Sequence, residues 1–165
     1  MPYHRRVELR VDYRGDGEIA AQLGPLMLRV LGGIETTHES VDRLLAMLDR
    51  ILARWPLVGV LVLVEHGTPK PSPEIRRRVD DELRRYGDRI VVGYAFLGLG
   101  FWNADAREFA AERAASLGVT VFATATVREL ATRVSLELVG VDPEAVERTC
   151  EQLRSELRLV DPLKR

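Results

Sequence analysis

Residues 7–13, VELRVDY, alternate strictly, with Val7, Leu9, Val11 and Tyr13 on one side and Glu8, Arg10 and Asp12 on the other. A period of two with one apolar side predicts a half-buried strand. The following RGDGE is turn chemistry. A short piece with no decisive period comes next, and PLMLRVLGG then reads as a second strand closing on paired glycines. The period changes at Val41, Leu44, Leu45, Leu48, Ile51, Leu52 and Trp55, which recur at helical spacing. Thr36 and Glu39 stand at capping-box spacing ahead of this run, and Pro56 stops it. LVGVLVLVEH is continuously apolar and β-branched, as expected of a central strand buried on both faces.

The second half of the chain repeats this alternation of strand and helix. Ser72-Pro73-Glu74 supplies a cap, a proline at the first helical position and an acid near the positive dipole end. Ile75, Val79, Leu83 and Tyr86 form the stripe of that helix. RIVVGYAFLG predicts a fourth strand. Asn103 is placed to cap a third helix, with Ala106, Phe109, Ala110, Ala114 and Leu117 inward and Gly118 as its stop. VTVFAT predicts a fifth strand. Thr126 and Glu129 repeat the capping box before Val127, Leu130, Ala131 and Val134, and SLELVG reads as partly extended. A last helix from Asp142-Pro143-Glu144 carries Val146, Cys150, Leu153 and Leu157. These elements predict one α/β domain over residues 1–165, a mixed, mostly parallel sheet of about five strands with helices packed on it. Residues 140–165 form its C-terminal helical extension.

Composition narrows the class. The chain has 165 residues, 46% of them hydrophobic and 30% charged, as in ordinary soluble domains. A net charge of −1 supplies no field favouring nucleic acid, and Arg76, Arg77, Arg78, Arg84, Arg85 and Arg89 are interleaved with acids into a solvated face. Lysine occurs only at Lys70 and Lys164, which we read as a GC-rich bacterial codon bias. The single Cys150 excludes an internal disulfide and a cysteine zinc site. The absence of a leader-like or membrane-length apolar run predicts a cytoplasmic protein without membrane insertion.

The element order resembles the STAS family of sulphate-transporter and anti-sigma-factor-antagonist domains and its SpoIIAA-like relatives, over roughly residues 5–135. LMLRVLGGIETTHESVDRLLAMLDRIL carries the likeness as strand, capped turn and first helix, and VGVLVLVEH as the central strand. IVVGYAFLGLGFWNADAREFAAERAASLGVTVFATATVREL resembles the last two strand–helix units. The resemblance implies a regulatory role exercised through protein contacts. The phosphorylatable Asp-Ser-Ser-Gly loop of its phosphoswitch members is replaced here by EHGTPKPSPE, so that chemistry does not carry over. Ser72 stands at a helix start where a phosphate would meet free amides, and also reads as an ordinary N-cap.

In open α/β sheets ligands gather beyond the carboxyl ends of the strands, which here hold GGIETT, EHGTPKPS, GLGFWN and TAT. The expected partner-contacting residues are Phe101, Trp102, His66, Thr68 and Ser72, with Trp102 as anchor. Gly98, Gly100 and Asn103 form a candidate anion site at a strand-to-helix corner, although the third glycine and the lysine of nucleotide motifs are missing. The leading expectation is a non-enzymatic module binding another protein or a second copy of itself as a homodimer. The alternative is a small-ligand domain for a lipid or nucleotide, and the weakest is a hydrolase using His66 with Ser72 or Thr68 as nucleophile. No cofactor, metal or nucleic-acid partner is expected, since His4, His38 and His66 lack ligand spacing.

Overall fold

The computed structural model describes residues 7–98 and 102–160, with the side chains of 102–107, 159 and 160 left out. The chain begins as a meander of β1 (Leu9–Gly15), β2 (Glu18–Leu23) and β3 (Leu26–Leu31). Gly17 and Gly24 make its two tight turns at φ 76° and 56°, a region closed to most side chains. Three crossovers follow, through α1 (His38–Leu52) to β4 (Val58–Val64), α2 (Pro73–Tyr86) to β5 (Ile90–Phe96), and α3 (Trp102–Leu117) to β6 (Thr120–Thr124). Two helices, α4 (Val127–Glu137) and α5 (Pro143–Val160), close the described chain.

All six strands form one sheet whose spatial order is the order of the chain. The β1/β2 and β2/β3 pairs are antiparallel, and β3/β4, β4/β5 and β5/β6 are parallel. The sheet is therefore mixed, with three parallel and two antiparallel pairs, rather than mostly parallel, and it has six strands rather than five. The additional strand is β2, in the stretch without a period. Ile19, Ala20 and Ala21 are all buried there because both faces of the sheet are covered, which erases the alternation.

Parallel crossovers are right-handed, and here all three step in one direction. They consequently lay α1, α2 and α3 on a single face, where Met27, Val60 and Val92 meet Met47, Leu48 and Leu83. The opposite face presents Leu28, Leu61, Leu63 and Val91 to α4 and α5. On α5 the stripe Val146, Cys150, Leu153 and Leu157 is buried in that core. Arg154 Nη2 on the same helix donates to Glu65 Oε2 at 3.2 Å, and Glu156 pairs with Arg14, whose hydrogen bond holds its carboxyl below the usual range.

Several local expectations shift. The capping box of α1 is made by Thr37 and Ser40, one residue later than Thr36 and Glu39, and Thr36 is buried instead. Ser72 caps α2 and Thr126 caps α4 as their spacing predicts, accepting from the Ile75 and Glu129 amides at 3.3 and 3.1 Å. The helix α3 already includes Trp102, so Asn103 lies inside its first turn rather than before it. Ser135–Glu137 belong to α4, and extended backbone begins only at Leu138.

Burial pushes the Cys150 thiol up to about 12. At pH 8 that leaves a thiolate fraction of about one in ten thousand. Iodoacetamide should leave the native protein unmodified and alkylate it fully in denaturant, as read by intact mass; modification of the folded chain would contradict this packing.

Candidate functional site

The face under α1–α3 is not filled. Its floor is set by the register of the three central strands, which align side chains in rungs: Met27, Val60 and Val92; Arg29, Val62 and Tyr94; Leu31, Val64 and Phe96. Leu44, Leu45 and Leu48 of α1 and Ile75, Val79 and Leu83 of α2 form the roof. Between them lies a cavity of about 200 Å³. Pro69, Lys70, Pro71 and Arg76 border it and are exposed, so it opens beneath the loop after β4.

One strand residue breaks the apolar floor. Arg29 is 7% exposed, and its Nε donates to Glu18 Oε1 at 2.9 Å across the β2/β3 pair. Its Nη2 lies 3.4 Å from the Thr36 hydroxyl. Glu18, 2% exposed, also meets Arg43 Nη2 at 3.5 Å, and the Arg43 guanidinium stacks 3.8 Å above the Tyr13 ring. Burial lowers the proton affinity of Arg29, with Glu18 opposing the shift.

An aromatic and cationic wall closes the α3 side. Tyr94 and Phe96 stack at 5.7 Å, and Phe109 meets both edge-on at 5.6 and 6.0 Å. The guanidinium carbons of Arg76 and Arg113 each lie 5.1 Å from the Phe109 centroid. Arg113 is 5% exposed, and its Nη2 lies 2.6 Å from Asp80 Oδ1. That contact is an ion pair, and Asp80 Oδ1 and Arg113 Nε have no hydrogen-bond partner among the described residues.

Of the residues expected to meet a partner, Thr68 lines this cavity, whereas His66 and Ser72 do not. The Thr68 hydroxyl is tied to backbone, 2.8 Å from the Glu65 carbonyl and 3.2 Å from that of Leu31, and it accepts from the Gly33 amide at 3.1 Å. Ser72 is occupied as the α2 cap. No hydrogen bond joins His66 to either hydroxyl among the described residues, and Glu65 is turned to Arg154. Gly98 has φ 107°, and a Cβ there would come within 2.8 Å of His66 Cβ, so close chain approach accounts for this glycine. Gly100, Phe101 and the side chains of Trp102 and Asn103 lie outside the described residues.

The sequence passes over Arg29 and Arg113 and assigns Arg76 to a solvated face, whereas all three line the cavity. Two signals were present: Arg29 interrupts an otherwise apolar strand, and Arg113 follows Phe109 by four and Ala110 by three, on the inward side of α3. Among the described residues no group of three His, Cys, Asp or Glu side chains is arranged to hold a metal ion. None of the described helices is long and apolar enough to cross a membrane. No family model matches the chain, and neither a curated protein nor a solved structure is detectably similar to it.

Proposed function

We propose that this domain binds a small, mainly apolar organic molecule in the cavity between the sheet and α1–α3. The carrying observation is the cavity itself: about 200 Å³, walled by aliphatic and aromatic side chains, and open at one loop. Well-packed interiors contain few voids larger than a water molecule, and an apolar cavity of about 150 Å³ already accepts benzene. Small-molecule pockets commonly start near 300 Å³, so the space suits a single ring or a short acyl chain rather than a nucleotide. The protein-docking expectation rests on the STAS-like resemblance and on Trp102 as anchor, whose side chain lies outside the described residues, whereas this reading stands on described side chains. The meander, three one-way crossovers and two terminal helices also support a STAS-like assignment of the fold.

Octan-1-ol is a suitable neutral probe. Calorimetric titration should show saturable binding to the wild-type protein, with a matching rise in melting temperature by mass action. Val62→Phe places a ring on the central rung and should abolish binding while far-ultraviolet circular dichroism is retained. Binding that survives this substitution would move the ligand elsewhere.

A further inference from the structure

The walls of the cavity carry charge of one sign. Arg29, Lys70, Arg76 and Arg113 contribute to them, and no Asp or Glu does among the described residues. The four cations are not equivalent. Arg29 is engaged by Glu18. Arg113 is buried and ion-paired with Asp80, and its Nε has no hydrogen-bond partner among the described residues. Arg76 has no carboxylate partner among the described residues and stacks on Phe109.

Arg113 is already paired with Asp80 at 2.6 Å, so the exposed Arg76 is the guanidinium of this wall open to a further acceptor. Both guanidinium groups lie at the same distance from the Phe109 ring, so the two are separated by at most twice 5.1 Å. A guanidinium lying near an aromatic ring still has in-plane N–H groups that match a carboxylate. The aliphatic rungs of β4 adjoin this wall through the Val62–Tyr94 and Val64–Phe96 pairs. One compartment thus combines an apolar trough with a cationic, donor-rich side.

Resting on the reading of the cavity as a binding site, we propose that its ligand is a short amphiphilic carboxylate. The carboxylate is received by Arg76 beside Phe109, with Arg113 as the second cation at that ring, and the tail lies along Val60, Val62 and Val64 beneath α1 and α2. The volume sets the tail at about six to eight carbons or one ring. A neutral alcohol offers these guanidinium groups only a weak acceptor, and an ammonium head is repelled by them.

The test compares octanoate, octan-1-ol and octylamine at pH 7 by calorimetric titration of the full chain. Octanoate should bind at least about tenfold more tightly than octan-1-ol, the scale of a charge-assisted hydrogen bond, and octylamine should bind most weakly. Arg76→Gln, at an exposed position, should weaken octanoate several-fold and octan-1-ol much less, narrowing the preference between them. Asp80→Asn/Arg113→Met removes both members of the buried pair together and should reduce the preference for octanoate. Retained circular dichroism and octan-1-ol binding report that this double variant is folded. Equal affinity for octanoate and octan-1-ol in the wild-type protein overturns the carboxylate assignment and leaves the cavity reading standing. Binding of none of the three overturns both.

Discussion

Arg29→Met should lower stability by about 3–5 kcal/mol, the cost of stranding one member of a buried ion pair. The substitution preserves volume and removes the guanidinium that Glu18, 2% exposed, accepts at 2.9 Å. Arg43 remains near the stranded carboxylate, but at 3.5 Å and from a partly exposed position. The direction of the Arg29 shift sharpens the expectation. Burial outweighs the attraction of Glu18, so the pair as a whole gains little over an apolar filling. Glu18→Leu/Arg29→Met should therefore recover most of what the single variant loses. Urea unfolding with a common slope measures both. A single-variant loss below about 1 kcal/mol, the scale of an exposed pair, would contradict this account.

Leu153→Ala should cost about 2–5 kcal/mol, whereas Leu136→Ala should stay within about 0.5 kcal/mol. The chemistry of the two truncations is identical and the surroundings are opposite. Leu153 is 0% exposed on α5 within the core that covers Leu28 and Leu61. Leu136 is 78% exposed near the end of α4. Leu153→Met, which keeps the volume, should cost less than about 1.5 kcal/mol. Similar denaturation midpoints for the two alanine variants would mean that α5 is not part of the cooperative core.

The elements legible in the sequence were those whose pattern is local. A run such as VGVLVLV admits one reading because a strand covered on both faces needs apolar residues throughout. Ser72 and Thr126 were legible as caps because each stands alone at its spacing. Thr36 and Thr37 are adjacent, so two boxes compete, and packing decides: Thr36 is drawn in beside Arg29, leaving Thr37 to cap. The alanines of β2 hid a strand because small buried residues weaken the contrast on which periodicity depends.

The candidate site was less legible for a different reason. Glu18 and Arg29 are eleven residues apart and meet only through the antiparallel register of β2 and β3. Arg113 reaches Phe109 along one helix but meets Asp80 only through the packing of α2 against α3, which also brings Arg76 to the same ring. A void is less legible still. It is the space two layers fail to fill, and no single residue encodes it.

The identity of spatial and chain order in the sheet has a consequence for how the protein is made. Each strand pairs with the one synthesised just before it, so the sheet can grow from its β1 edge as the chain leaves the ribosome, closing two tight turns first and then one helical crossover for each later strand. The helices of one face arrive between the strands, whereas those of the other come only after β6. Until residues 127–157 emerge, Leu28, Leu61 and Leu63 face solvent across the middle of a nascent sheet. That interval is the aggregation-exposed stage of its biogenesis, and α4 and α5 end it.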